Sequence, residues 1–430
     1  MKRILKKLFP GRRYARKILQ ADLPAHYRPV RSLFAGLPEP LHDLTPEKIQ
    51  EINQSSSNYY DDASRSEFWK NKPFSDPRWA PWFLWRFGLL LSALRIRPGD
   101  RILDFGCGTG WTSIMLAQMG AEVLGLDVSE AALNIASENA RRSLSSEQQC
   151  RIRFERFDGD TISGEDGFFD FVMVFEAIHH LPNPRAILAE FSRVLNEYGY
   201  FGFAEPGIGH AATHTSLEET ALGILEEDLD IERLYRTALD SGFKELEILI
   251  PALSPDMLTL PMKRARWFLR GLSWLVPADF MRSAILRGPL GVFRKTEYPI
   301  TSLHPKTHAA VIRTSERELS VVAGSRFAIE AEIQNPTDTV WLKRGHSGKG
   351  YVRLGAHLIH AGGHVEESDF GRAELSGDVP QDHSGRVVLK LVAPLVPGDY
   401  TVRLDLVNEG ICWFEAEGSQ TVDVLLRVRP

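Results

Sequence analysis

The stretch RILDFGCGTGW, residues 101–111, constrains this chain more than any other. A short apolar run that reads as a buried strand leads straight into Asp104, Gly106, Gly108 and Gly110, with glycine at alternate positions. Glycine adopts left-handed backbone conformations at no steric cost and lets a ligand approach the main chain closely. The residues that follow, WTSIMLAQMG, read as a helix closed by Gly120. Strand, glycine loop and helix in that order predict an α/β sheet whose ligands lie beyond the carboxyl ends of its strands.

The pattern continues downstream. EVLGLD reads as a second strand, and Ser129 offers an N-cap to EAALNIASENARR. IRFERF and FDFVMVF are the third and fourth strands. Asn183 as N-cap, with Pro184 at the first helical position, opens RAILAEFSRVLNEYG. YFGFAE is a fifth strand, LEETALGILEEDLDIERLYRTALDSG one helical stretch, and KELEILI a sixth strand. GVFRKTEY would return as the seventh. Between the last two lie residues 251–290, apolar, aromatic and basic, with Trp267, Phe268, Trp274 and Phe280. A short turn would suffice there, so the insertion is expected to overhang the mouth of the ligand site.

Beyond residue 305 the texture changes. LSVVAG, RFAIEAEIQN, TVWLK, YVRLGAHLIH, GRVVLKLVA, DYTVRLDLVNEG, CWFEAE and TVDVLLRV alternate apolar and polar residues, which predicts an antiparallel β-sandwich of immunoglobulin-like kind. The expected organisation is a basic N-terminal segment (1–50), an α/β domain (51–300), a linker at 296–308 and a sandwich (305–430).

Charge limits the partners. The net charge of the 430 residues is −5, yet the first 20 hold eight Lys/Arg and no acid, leaving −13 on the rest. No basic domain face backs the tail, so nucleic acid is not expected. MKRILKKLFPGRRYARKIL interleaves cations with apolar residues, as a segment lying on an anionic membrane would. No apolar run approaches the roughly 18 residues that span a bilayer. Cys107, Cys150 and Cys412 have neither metal nor disulfide spacing, which suits a reducing compartment. The expectation is a cytoplasmic protein, peripheral at the inner face of the plasma membrane.

A dinucleotide fingerprint needs glycine at its first, third and sixth positions, and the sixth counted from Gly106 is Trp111. The spacing D-x-G-x-G-x-G instead suits S-adenosylmethionine, with Asp104 meeting the ammonium of the methionyl group. Asp127 ends the second strand, where a carboxylate can accept both ribose hydroxyls. In FDGD, Asp158 directly ends the third strand and is preferred over Asp160 as acceptor for the adenine amino group.

As a set, LDFGCGTG, LGLDVS and FFDFVMVFEAIHHLPNPRAILAEFSRVLNEYGYFGFAEPG resemble class I S-adenosylmethionine-dependent methyltransferases of the small-molecule type with an HH(L/V)-P-(N/D)-P segment. The resemblance covers about residues 95–250. It implies a Rossmann-like seven-stranded mixed sheet with the seventh strand antiparallel. It also implies that Gly106, Gly108 and Gly110 cradle the methionyl part beside Asp104, with Asp127 on the ribose and Asp158 on the adenine. YVRLGAHL and PGDYTVRLDLVNEGICWFE are similar, more loosely, to sandwich modules attached to bacterial polysaccharide-pathway enzymes.

Methyl transfer to oxygen calls for a proton acceptor within hydrogen-bond reach. His179, Glu205 and Glu176 are the candidates put forward, with His180 and His210 as further strand-end histidines. The loosely spaced carboxylates predict no metal. Trp69, Trp79, Trp82 and Trp85 precede the first strand and read mostly as core, with one or two able to close over the adenine. The expected activity is O-methylation of a saccharide or lipid-linked saccharide in cell-surface glycan synthesis. The alternatives are a soluble small-molecule acceptor and a non-catalytic glycan-binding adaptor.

Overall fold

The computed structural model describes residues 36–250, 258–262, 266 and 285–430. The basic residues 1–20 and most of the insertion, including Trp267, Phe268, Trp274 and Phe280, lie outside the described residues. The chain divides into two compact units between Glu297 and Tyr298.

In the first unit, α1 (Pro46–Asn58), α2 (Ala63–Lys70) and α3 (Ala80–Leu94) precede β1 (Arg101–Phe105). Then come α4 (Trp111–Gln118), β2 (Glu122–Asp127), α5 (Glu130–Ser143), α6 (Ser146–Gln149), β3 (Ile152–Arg156) and β4 (Phe169–Phe175). They are followed by α7 (Pro184–Val194), β5 (Leu195–Ala204), α8 (His214–Thr220), α9 (Ile231–Asp240), β6 (Glu245–Ile250), β7 (Leu258–Pro261) and β8 (Leu290–Arg294). The sheet order is β3-β2-β1-β4-β5-β8-β6-β7. Strands β1 to β5 run parallel, and β8 lies antiparallel between β5 and β6. This is the expected mixed sheet, with β8 as its antiparallel seventh strand. An eighth edge strand, β7, comes from the start of the insertion and pairs with β6.

Helices cover both faces because β4 is buried along its whole length. One face carries α7 and α9, packing Phe191, Val194, Leu234 and Ala238 against Phe201 and Phe203. The other carries α3 and α4, packing Phe87, Leu90 and Leu116 against Ile102, Phe171 and Met173.

Four local expectations need correction. The unit begins before residue 51: Leu41 is buried in the core, and its N–H donates to Thr237 Oγ1 at 2.8 Å. Asn183 precedes α7 but does not cap it. Its Nδ2 donates to the Gly159 carbonyl, while the Asp43 carboxylate accepts from the N–H groups of Arg185 and Ala186. The stretch read as one helix is two. Gly223 takes φ +84 with Ser55 against it, and Asp230 caps α9 by accepting from Glu232 and Arg233. The tryptophans at the start of α3 and just before it are not core. Trp79, Trp82 and Trp85 are 44–49% exposed, and Phe83, Phe87 and Leu90 are buried instead.

The second unit has two sheets. One runs β10 (Glu318–Val322), β17 (Val422–Arg429), β15 (Gly398–Asn408), β12 (Val352–His360), β13 (Val365–Glu374), with β16 (Cys412–Trp413) beside β15. The other runs β14 (Ser384–Val392), β11 (Arg326–Gln334), β9 (Val311–Arg313). Inward residues of both sheets, among them Ile329, Leu354, Leu389, Leu404 and Leu426, share one core. The pairing is antiparallel except for β10 with β17, which is parallel. Strand β13, mostly exposed and polar, has no alternation to reveal it. TVWLK forms only isolated bridges through Val340 and Trp341. Part of the expected linker belongs to this unit: Thr301 bridges Val340, and Ser302 Oγ donates to the Gly350 carbonyl.

Candidate active site

A cavity of about 810 Å³ opens beyond the carboxyl ends of β1, β2, β4 and β5. Its lining includes Gly106, Gly108, Asp127, Glu176, His179, His180, His210, Glu219 and Glu226.

The three glycines do different work. All have positive φ, +70, +51 and +81. A Cβ on Gly106 would meet the Ala177 methyl at 2.4 Å, and one on Gly110 the Ala136 methyl at 2.8 Å. Those two let β1 sit against the loop after β4 and α4 against α5. Only at Gly108 is the obstacle a distal group, the Tyr60 hydroxyl at 3.3 Å. Gly106 and Gly108 line the cavity, and Gly110 does not.

Asp127 ends β2, and its carboxylate accepts from Gly108 N–H and Ser129 N–H, each at 2.9 Å. Burial raises its pKa against these two bonds. Each oxygen keeps a further lone pair for a ligand hydroxyl. Asp104 does not line the cavity. Its Oδ2 accepts from Thr112 Oγ1 at 2.6 Å and Ser113 Oγ at 2.5 Å, and burial pushes its carboxyl up to about 6. The start of α4 therefore takes the carboxylate expected to meet the ammonium. Asp158 is exposed and outside the lining; its Oδ1 closes a turn by accepting from Asp160 and Thr161 N–H groups. Phe157, Val128 and Asn183 stand in the lining instead.

The opposite end is a hydrogen-bonded histidine–carboxylate cluster. Glu205 is fully buried. Its Oε1 accepts from Ala177 N–H at 2.8 Å and Ile178 N–H at 3.0 Å, and its Oε2 meets His179 Nδ1 at 2.7 Å. A carboxylate so placed is an acceptor, so Nδ1 carries the proton and His179 Nε2 is a lone pair. Glu205 thus orients His179. His180 Nδ1 donates to the Leu225 carbonyl at 2.7 Å, which leaves its Nε2 unprotonated as well. Burial holds His179 down to about 3 and His180 down to about 4, so both rings are neutral near pH 7.

Glu176, at φ +56, pairs with Arg86 Nη1 at 2.9 Å and Lys72 Nζ at 3.7 Å. Arg86 rises from α3, is buried, and also donates to the Glu205 carbonyl oxygen at 2.8 Å. The two cations engage both Glu176 carboxylate oxygens. The expectations missed Arg86, Lys72, Glu219 and Glu226. Arg86 had a signal, as the one charge in PWFLWRFGLLLSAL.

Residues 103–203 match the family model described as a methyltransferase domain. The ubiquinone biosynthesis O-methyltransferase of Acinetobacter baylyi is 32% identical over 107 residues, 25% of this chain and 43% of that protein. The 27-O-demethylrifamycin SV methyltransferase of Amycolatopsis mediterranei is 32% identical over 111 residues, 26% of this chain and 40% of that protein. The chain spans less than half the length of these curated relatives. Among solved structures, an S-adenosylmethionine-dependent methyltransferase from Mesorhizobium loti is similar at a TM-score of 0.35 and 22% identity, covering 48% of this chain and 95% of that one.

Proposed function

We propose that the protein is an S-adenosylmethionine-dependent O-methyltransferase whose acceptor is a saccharide hydroxyl. One observation carries the activity: the glycine loop anchored on Asp127 and the imidazole held by Glu205 face a single cavity. The cavity's size suits a nucleoside cofactor together with part of an acceptor.

The lining fits S-adenosylmethionine. Gly106 and Gly108 bring backbone close to the cavity, and Asp127 offers free lone pairs for a ribose diol. S-adenosylmethionine supplies a sulfonium methyl, which an oxygen nucleophile takes in line as the carbon–sulfur bond breaks. An imidazole of the His179–His180 pair receives the hydroxyl proton at Nε2. Arg86 and Lys72 hold Glu176 at the junction of the two ends, and Phe83 and Trp111 wall the cavity against water.

The saccharide acceptor is supported by the likeness of the second unit to sandwich modules of polysaccharide-pathway enzymes, an analogy of architecture. The basic segment 1–20 suits an acceptor presented at an anionic membrane surface. Exposed Trp79 and Trp82 at the cavity favour a second reading, an apolar small-molecule acceptor. The test is S-adenosylhomocysteine release with a panel of glycan fragments and of phenolic or polyketide hydroxyls. Turnover with a glycan fragment is expected. Turnover confined to the apolar hydroxyls would overturn the saccharide reading. Release with none, alongside tight S-adenosylhomocysteine binding, would favour a non-catalytic adaptor.

A further inference from the structure

The acceptor end holds more polar groups than proton transfer needs. His179, His210 and Glu226 each place one nitrogen or oxygen so that all three atoms lie within 4.8 Å of one another. They come from three separate segments, following β4, following β5 and between α8 and α9. His210 Nε2 is 2.9 Å from Glu226 Oε2. The other oxygen, Oε1, sits on a side chain only 1% exposed, and the neighbouring Glu219 carboxyl hydrogen-bonds this carboxylate. His180 Nδ1 is 3.1 Å from Oε1, but that nitrogen's proton goes to the Leu225 carbonyl. Glu219 adds a second carboxylate beside Glu226. Among the described residues, neither glutamate has a Lys or Arg ion-pair partner, whereas Glu176 has two.

We propose that His179, His210 and Glu226 form a binding site for a first-row divalent cation at the acceptor end of the cavity. Two imidazoles and one carboxylate suit zinc, iron or cobalt better than the all-oxygen preference of magnesium or calcium. Tetrahedral ligands at about 2.0–2.1 Å from an ion stand about 3.4 Å apart, so small side-chain rotations close the present spacing. The outer contacts match as well. A metal-binding histidine usually donates its other N–H to a carboxylate or carbonyl, and His179 Nδ1 already donates to Glu205. Three protein ligands leave a position open toward the cavity, as catalytic rather than structural sites do. Its use in catalysis rests on the methyl-transfer reading: a cation there would acidify an acceptor hydroxyl, leaving His180 Nε2 to take the proton. Binding itself does not rest on that reading.

The test uses the untagged full chain, freed of metal by chelator and dialysis. Zn²⁺ binding is followed by calorimetry, Co²⁺ binding by its visible d–d bands, and S-adenosylhomocysteine affinity is measured separately. One Zn²⁺ per chain is expected, with no competition from Mg²⁺. His210→Ala and Glu226→Gln should each weaken Zn²⁺ binding by more than about tenfold, and Glu205→Gln, which turns the His179 proton onto the ligating Nε2, by at least about tenfold. Melting curves and retained S-adenosylhomocysteine binding report that the variants fold, and His210→Gln replaces His210→Ala if that variant does not. Absence of Zn²⁺ binding in the parent, or equal binding in both ligand variants, overturns the cation site and leaves the methyl-transfer reading standing. Stoichiometric Zn²⁺ binding without any S-adenosylhomocysteine affinity does the reverse.

Discussion

The two ends of the cavity are built in opposite ways. The cofactor end comes from one strand–helix–strand unit: β1, the glycine loop, α4 and β2 bring Gly106, Gly108 and Asp127 together within a short stretch of chain. The acceptor end is assembled from parts distant in sequence. Arg86 comes from α3, Glu176 to His180 from the loop after β4, Glu205 and His210 from beyond β5, and Glu219 and Glu226 from around the break between α8 and α9. At one end the main chain and a single carboxylate shape the site. At the other, side chains hold one another, and most of their hydrogen-bonding capacity is spent on orientation. The acceptor end should therefore be the more sensitive to isosteric changes, because removing one bond there reorients a second group.

Glu205→Gln tests that contrast most severely. The amide oxygen will face the N–H groups of Ala177 and Ile178, turning its NH₂ toward His179 Nδ1. That donor forces the other tautomer, with the proton on Nε2, where it cannot accept from a substrate. The expected loss is roughly 10²–10⁴ in kcat, with S-adenosylhomocysteine affinity unchanged in calorimetry. An equal loss in affinity would mean that the two ends are not separable.

At the proposed cofactor end, Asp127→Ala removes the anchors of Gly108 and Ser129 as well as the proposed ribose acceptors, each charge-assisted bond contributing about 1.5–3 kcal/mol. S-adenosylhomocysteine affinity should fall at least about tenfold. Asp158→Ala is its control. That side chain is exposed, closes a local turn and does not line the cavity, so affinity should barely change. A large effect there would restore Asp158 to the adenine.

The subtlest expectation concerns pH. Burial keeps His179 neutral in the folded protein down to about pH 3, whereas in the unfolded chain it takes a proton near pH 6.5. Below about pH 6.5 the unfolded state thus binds more protons at this site, and its contribution to stability falls as pH drops. His179→Gln removes the titrating ring. Urea titrations at about pH 7 and about pH 5 should show the gap between parent and variant narrowing, or reversing, at the lower value. A gap that widens would place a charged imidazole in the folded protein.

Much of the first unit's architecture could be read before any coordinates. The strands declare themselves because a strand buried on both faces, such as FDFVMVF, must be continuously apolar, and because Ser129, Pro184 and Gly120 punctuate the helices between them. Asp127 and the glycine loop were legible for the same reason: their partners are near in sequence, and positive φ leaves a glycine signature. Local appearance misled where another group had a better claim on a bond. Asp104 went to Thr112 and Ser113, Asn183 to Gly159, and the cap of α7 came from Asp43. Polar β13 carried no alternation because neither of its faces is deeply buried. The sequence alone determined the sheet, its helices and the cofactor-side loop, since those depend on periodicity and on short-range backbone chemistry. Only the tertiary structure decided that Glu205 holds a histidine, that Arg86 neutralises Glu176, and that Glu226 meets His210, because such pairings are set by which segments the packed core brings to the same edge of the sheet.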